Sequence, residues 1–97
     1  MGEWQRTDGN YSLKLSNIQK DGQVQAEYFN PEPIHINRAA VSTQEGLLRL
    51  DITFQGSNYE GSKYKLYYYA EKDALAGFSY QAVLNRTYKV IFLRKNK

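Results

Sequence analysis

The chain has 97 residues, with thirteen Lys and Arg against ten Asp and Glu for a net charge of +3, and it contains no cysteine. This length predicts a single domain over residues 1–97, with a core that is thin for its surface. The missing cysteines exclude disulfides, thiolate catalysis and zinc–thiolate sites.

Apolar and polar residues alternate through nearly the whole chain, as in Leu48-Arg49-Leu50-Asp51-Ile52. Such alternation is typical of strands that bury one face. Turn residues such as Asp21-Gly22 separate the runs at roughly the 8–12-residue spacing of all-β domains. The pattern predicts eight strands, near residues 2–6, 10–18, 23–29, 34–42, 47–55, 62–69, 74–83 and 86–94.

The links between these strands are short, which favours antiparallel neighbours and an up-and-down meander. An open sheet of this size has two exposed edges, and closing the sheet into a barrel removes both. We therefore predict an all-β fold, an eight-stranded antiparallel up-and-down barrel whose first strand pairs with its last. A half-open barrel and a two-sheet sandwich are the alternatives.

Five tyrosines fall in the segment YEGSKYKLYYY, residues 59–69. Tyr64 and Tyr68 share a strand face with Leu66, so we expect them in the core. Tyr67 and Tyr69 lie on the opposite face with lysines, and we interpret them as cross-strand packing on the outer surface. The alternative is a homodimer interface through the outer face of predicted strands 5 to 7, because Tyr is favoured in interface cores.

The segments Gly2-Glu3-Trp4, Tyr11–Leu15 and Asp21–Tyr28 are similar to the opening of the calycin superfamily, the lipocalins and avidins. That opening is a G-x-W in the first strand followed by a hairpin ending in D-G-x-L-x-G-x-Y. The resemblance implies a calycin-like barrel in which Trp4 closes one end against a basic residue of the last strand, here Arg94. A guanidinium on indole gains roughly 0.5–2 kcal/mol.

Later segments, such as Asn30-Pro31-x-Pro33-Ile34, resemble a group of short uncharacterised bacterial domains of the same barrel type, which implies a fold and no function. The calycin resemblance implies a ligand site at one barrel mouth. Its residues here would be Trp4, Arg6, Asn10, Asn58 and Tyr59. The chain has one Trp where avidins use several, which argues against biotin.

Side chains alone can fill the interior of an eight-stranded barrel. We expect aromatic rings inside, namely Tyr11, Tyr28, Phe54, Tyr64, Tyr68 and Tyr80. The remaining space predicts at most a shallow pocket at one mouth, and no cofactor. We therefore expect a non-enzymatic module that binds a small molecule or a protein.

His35 is the only histidine, and it opposes the apolar face of Ile34 and Ile36. This placement predicts an outward or rim side chain instead of a general base. The segment 77–81, GFSYQ, lacks the second Gly of a nucleophile elbow. The sequence contains no cluster of His and Cys and no patterned carboxylates, so it predicts no metal site. An enzyme that uses His35 with Tyr or Asp is the lowest-ranked hypothesis.

Basic residues crowd the end of the chain, namely Arg86, Lys89, Arg94, Lys95 and Lys97. Together with Tyr67, Tyr69 and Tyr88 they suggest an alternative function, a barrel that binds single-stranded nucleic acid through its basic C-terminal strand. We prefer a solvated charged terminus and do not expect nucleic acid as the partner.

No apolar run approaches the roughly 20 residues of a spanning helix, and no signal peptide is visible, so no membrane span is predicted. We expect a mature segment whose leader was replaced by Met1, and hence a periplasmic or exported location in preference to the cytoplasm. The alternative is a complete cytosolic protein.

Overall fold

A computed structural model of the protein describes residues 2–30, 32–55 and 61–95. These residues form a single antiparallel sheet, which confirms the all-β prediction. The described strands are β1 (Gly2–Arg6), β2 (Ser12–Ser16), β3 (Gln25–Phe29), β4 (Pro33–Ile34), β5 (Ile36–Gln44), β6 (Leu47–Phe54), β7 (Lys63–Tyr69), β8 (Ala74–Gln81) and β9 (Arg86–Arg94).

The sheet has the strand order β4-β3-β2-β1-β9-β8-β7-β6-β5. The first strand pairs with the last, with Trp4 opposite Arg94 and Arg6 opposite Phe92, as the barrel prediction requires. The predicted count of eight strands is wrong, because the structure divides the segment predicted as 34–42 into β4 and β5. The division falls at His35, where the backbone leaves β3 and turns to pair with β6.

The barrel is nearly closed, and its weakest join lies between the chain before β3 and the middle of β5. One isolated bridge, Gln23 with Ala40, connects the two segments. The Val41 amide donates to the Gly22 carbonyl at 2.6 Å, and the Val24 amide donates to the Ala39 carbonyl at 3.2 Å. We call this join the seam. It holds far fewer backbone hydrogen bonds than the ladders that join β6 to β7, β7 to β8 and β8 to β9.

Glycine is required at the seam. Gly22 has a φ of +92°, and a Cβ at this position would lie 2.5 Å from the Val41 carbonyl oxygen. A side chain would therefore meet both the strain of the left-handed region and a clash with the backbone that closes the ring. The tight turn between β5 and β6 uses the same region, since Glu45 and Gly46 have φ values of 52° and 81°.

The core fills the barrel interior with the inward side chains of every long strand. Tyr64 and Leu66 are buried as predicted, and Tyr68 is half-buried against the same core. The largest fully buried side chains are Trp4, Phe92, Leu13, Leu15, Ile52, Leu66 and Leu75. Each such side chain contributes roughly 1.5–3 kcal/mol through the apolar surface that it removes from water.

Candidate functional site

The two ends of the barrel carry different side-chain networks. At the first end, the Arg94 guanidinium lies 4.4 Å above the centre of the Trp4 ring, which is the contact that the calycin resemblance implies. Asp73 accepts from Arg94 Nε at 2.7 Å and from the Tyr68 hydroxyl at 2.8 Å. The Tyr68 ring meets Trp4 edge-on at 6.0 Å. We call this region the Trp4 end.

The Trp4 end is packed and charge-balanced. Hydrogen bonds from Arg94 and then from Tyr68 hold the pKa of the Asp73 carboxyl below its usual range. The hydrogen bond to Asp73 raises the pKa of the Tyr68 phenol. The Trp4 side chain has no exposed surface, and its Nε1 makes no hydrogen bond with a described residue.

The second end holds a cavity of about 210 Å³. Its walls combine aromatic rings with hydroxyl, amide and guanidinium groups, and among the described residues they are Arg6, Tyr11, Tyr28, Asn30, Phe54, Ser62, Tyr64, Ser79, Tyr80, Gln81 and Val83. We call this region the Arg6 mouth. A cavity of this size is below the roughly 300–1,000 Å³ of pockets that take drug-sized ligands, so it suits a smaller molecule.

A chain of hydrogen bonds crosses the Arg6 mouth. Arg6 Nη1 donates to the Tyr64 hydroxyl at 2.9 Å, and the hydroxyls of Tyr64 and Tyr28 lie 2.6 Å apart. Burial, and then the neighbouring Tyr64, raises the pKa of the Tyr28 phenol far above its usual range. The Tyr28 hydroxyl therefore stays protonated across the pH range in which proteins work.

Arg6 is held in place from two sides. Its Nε and Nη2 donate to the two carboxylate oxygens of Asp8 at 2.6 and 2.9 Å, and its guanidinium lies 4.0 Å above the Tyr11 ring. Burial alone would lower the pKa of Arg6, but the contacts with Asp8 and Tyr64 outweigh it and raise this pKa. The same pair lowers the pKa of Asp8. Arg6 thus enters the mouth as one half of an ion pair.

Two buried serines complete the inner wall. Ser62 and Ser79 are 7% and 6% exposed, and they are the buried polar residues among those that the structure describes. Ser62 Oγ accepts from the Ala82 amide at 3.1 Å. A hydroxyl at an inward position of a small barrel takes the place of an apolar side chain, so each serine leaves space and a polar group in the cavity wall.

The structure brings together only part of the predicted site. Arg6 lines the mouth, whereas Trp4 packs at the other end and Asn10 lies exposed on the turn after β1. The predicted residues Asn58 and Tyr59 lie outside the described residues. Sequence reasoning missed Ser62 and Ser79 as wall residues. Their signal was available, because both share the inward alternation of Tyr64 and Leu75.

The outer surface of β7, β8 and β9 forms a second distinct region. Phe78 is 43% exposed and stands directly between Lys65 on β7 and Lys89 on β9. Tyr67 lies in the next row, opposite Ala76, and is half-buried. We call this region the lysine–aromatic face, and its members are Lys63, Lys65, Tyr67, Tyr69, Phe78, Lys89, Ile91 and Leu93.

The predicted basic surface of the last strand is only partly assembled on this face. Lys89 and the tyrosines Tyr67 and Tyr69 lie on it, whereas Tyr88 pairs with the buried Ser79 and takes the opposite strand face. Arg94 belongs to the Trp4 end, and Lys97 lies outside the described residues.

The described residues bring together no cluster of metal-ligating side chains, and His35 lies away from the cavity. His35 is exposed and does not line the cavity, and no group of three or more His, Cys, Asp or Glu side chains comes together in residues 2–30, 32–55 and 61–95. Within these same ranges the protein has no helix that is long and apolar enough to cross a membrane.

Comparison with known proteins identifies no relative: no protein family, no curated protein and no solved structure matches this chain.

Proposed function

We propose that the protein is a non-enzymatic binding module that holds a small molecule in the Arg6 mouth. The observation that carries this proposal is the cavity of about 210 Å³ at one end of an otherwise packed barrel. A few convergent polar groups set among aromatic walls are the usual composition of a ligand site. Arg6 and Tyr64 supply the polar groups, and Tyr11, Tyr28 and Phe54 supply the rings.

The barrel type is part of the same proposal. We infer a calycin-like barrel, supported by the pairing of β1 with β9 and by the contact of Arg94 with Trp4. The resemblance implies an end closed by Trp4 and a ligand site at one mouth, and here the cavity lies at the end away from Trp4. The contrast between the Trp4 end and the Arg6 mouth is consistent with that division.

Native mass spectrometry of gently purified protein tests the proposal first, because it reports subunit number and bound mass together. We expect a reproducible small-molecule adduct on the wild type and none on Ser79→Leu, since the larger side chain fills the cavity. Lys14→Ala on the exposed side of β2 is the control and should keep the adduct. An adduct that survives Ser79→Leu would place the ligand elsewhere, and no adduct on any variant would count against the proposal.

A second candidate function is the binding of single-stranded nucleic acid to the lysine–aromatic face. The observation that favours it is the row Lys65, Phe78 and Lys89. Aromatic rings that stack on bases, flanked by cations that meet phosphates, are the elements of such a surface. Asp51 on the neighbouring β6 lies opposite Lys65 but is ion-paired with Arg49 at 2.9 Å, so this pair adds no net charge beside the three lysines Lys63, Lys65 and Lys89.

The same lysines oppose the homodimer that Tyr67 and Tyr69 suggest. A two-fold contact places identical surfaces against each other, so the lysines of one subunit would approach those of the other. An open groove of about 590 Å³ runs beside Phe78 and is lined by Lys63, Lys65, Tyr80 and Thr87. Its cationic margin suits an anionic strand better than a second copy of the chain.

Fluorescence anisotropy with a labelled oligothymidylate tests this second candidate. Contacts with three phosphates predict a slope of roughly −2 in a plot of log affinity against log salt between about 50 and 200 mM. Phe78→Ser should weaken binding, and Lys14→Glu on β2 should weaken it less than Lys65→Glu. Binding that does not depend on salt would contradict the candidate, and a concentration-dependent dimer in light scattering would favour the homodimer.

A further inference from the structure

The inner wall of the Arg6 mouth has a surplus of hydrogen-bond donors. The Tyr28 and Tyr64 hydroxyls share one hydrogen bond, and Tyr64 also accepts from Arg6 Nη1. Two phenols carry two hydroxyl hydrogens, and the shared bond uses one of them. Whichever phenol donates, one phenolic hydrogen has no acceptor among the described residues. Both side chains are more than nine-tenths buried, at 4% and 3% exposure.

The serines add to this surplus. Ser62 Oγ already accepts from the Ala82 amide, and its own hydrogen has no acceptor among the described residues. The Ser79 hydroxyl makes no hydrogen bond with any of them and lies in the same wall. These hydroxyls line the cavity, so an acceptor atom placed there would complete their hydrogen bonding.

The charge of the mouth indicates that this acceptor is neutral. Arg6 is already neutralised by the two-pronged contact with Asp8, and burial keeps the Tyr28 phenol protonated by raising its pKa. A carboxylate would bring an unpaired negative charge into a partly buried site, which is costly. A carbonyl oxygen accepts the same hydrogen bonds without that cost.

The size and walls of the cavity limit the rest of the molecule. An engineered apolar cavity of roughly 150 Å³ holds one benzene, so the 210 Å³ here accommodate one ring with a small substituent. The Tyr28 ring stacks with Tyr11 at 6.1 Å and meets Phe54 at 5.1 Å, and all three side chains line the cavity. Aromatic side chains pair favourably with another ring in edge-on or offset arrangements, so this lining favours an aromatic and hence planar ligand.

We propose that the Arg6 mouth binds a neutral, planar, single-ring molecule whose carbonyl-type oxygen accepts from the Tyr28–Tyr64 hydroxyl pair. This inference rests on the proposed small-molecule function and names the ligand class that the site takes. The oxygen faces the barrel interior and the ring faces outward.

Titration of the ¹⁵N-labelled full chain with three probes tests the proposal by NMR. The probes are toluene, benzamide and benzoate, which share a ring and differ in the polar group. We expect benzamide to bind about tenfold more tightly than toluene, because benzamide, unlike toluene, has an oxygen that can accept the free phenolic hydrogen. We expect benzoate to bind more weakly than benzamide. The shifted resonances should belong to residues around the Arg6 mouth.

The outcomes separate this inference from the proposed function. Equal affinities for toluene and benzamide would overturn the donor argument while retaining a small-molecule site. Benzoate binding more tightly than benzamide would overturn the neutral ligand. If none of the three probes binds, the ligand class fails, whereas the small-molecule function is decided separately by the adduct in native mass spectrometry.

Phenylalanine variants test the hydroxyl pair in a way that a general packing effect does not mimic. In Tyr28→Phe the hydroxyl hydrogen of Tyr64 has no acceptor among the described residues. In Tyr64→Phe the same holds for the hydroxyl hydrogen of Tyr28. Each single variant should therefore keep the preference for benzamide over toluene to within about threefold. The double variant should lose most of it. Toluene binding reports whether the cavity survives in each variant, and a preference unchanged in the double variant would overturn the proposal.

Discussion

The two ends of this barrel use the same kinds of side chain for different results. Each end has an arginine over an aromatic ring, a carboxylate that holds the arginine, and a tyrosine hydroxyl in the same network. At the Trp4 end the indole fills the interior. At the Arg6 mouth two serines stand where apolar groups would close the space, and a cavity remains. Both ends carry an arginine paired with a carboxylate, so the size of the inward side chains decides which end is open.

The largest expected effect comes from removing the ring that fills the closed end. Trp4→Ala deletes a fully buried indole, and we expect a loss of about 3–5 kcal/mol in the free energy of unfolding. Tyr11→Ala at the Arg6 mouth is the matched change on a half-buried ring and should cost clearly less. Urea denaturation followed by tyrosine fluorescence measures both. Equal losses would mean that the two ends are packed alike.

The seam provides the next largest effect. Gly22→Ala forces a left-handed residue and a clash with the Val41 carbonyl, and we expect a loss of about 2–3 kcal/mol. Gly46→Ala is the matched control, since Gly46 also has a positive φ but no atom within 4 Å of the added Cβ. It should cost about 1 kcal/mol. Thermal unfolding of both variants tests the difference. If Gly46→Ala were as unstable as Gly22→Ala, the clash with the Val41 carbonyl could not be the cause of the extra loss.

The loss of stability at acid pH tests the two carboxylates, Asp73 at the Trp4 end and Asp8 at the Arg6 mouth. The pKa of Asp73 is lowered in the folded protein, so the stability that it contributes is present above its unfolded pKa of about 3.9 and is lost as the pH falls through the folded pKa. We therefore expect Asp73→Asn to flatten the loss of stability below about pH 4. Asp8→Asn should flatten it as well, since the pKa of Asp8 shifts in the same direction.

These two acid variants differ in one readout. Only Asp8→Asn frees Arg6 from its partner, so only this variant should raise the affinity of the Arg6 mouth for benzoate. Denaturation curves at a series of pH values give the stability change, and an NMR titration with benzoate gives the affinity. If wild type and Asp73→Asn lost the same free energy of unfolding below about pH 4, this would contradict the role assigned to the Asp73 network.

The smallest expected effect is at Asn10, which lies exposed on the turn between β1 and β2. Asn10→Ala should change the free energy of unfolding by less than about 0.5 kcal/mol and should leave probe binding at the Arg6 mouth unchanged. A clear loss of affinity in this variant would return Asn10 to the site that the calycin resemblance implies.

Alternation in the sequence predicted most of the strand faces, but Leu48 is 42% exposed, and Tyr80, which we expected inside, lies opposite the outward Lys63. It assigned Leu50, Ile52, Tyr64 and Leu66 to the interior, because the side-chain period of a strand is fixed by its backbone. The same rule gave the outward lysines of β7. Local patterns of this kind need no knowledge of which strands are neighbours.

The missed features depend on contacts between distant parts of the chain. The division at His35 arises where β4 stays with β3 and β5 turns to β6, and no local pattern reports that choice. The hydrogen bond between Tyr28 and Tyr64 joins residues 36 positions apart. The mouth exists because these residues meet Arg6 from a third strand. Its individual residues were visible in the sequence, and their assembly was not.

The seam also fixes where the chain could be cut with least effect on folding. The ladder between β1 and β9 joins the two ends of the chain, and the Lys95 amide donates to the Glu3 carbonyl at 2.9 Å. A circular permutant that links these ends and opens at His35 turns this ladder into a local hairpin. The mean sequence separation of contacting residues then falls, because the β1–β9 ladder becomes local. Only the few contacts of the seam become long-range. Such a permutant should fold faster than the natural order, with the same sheet.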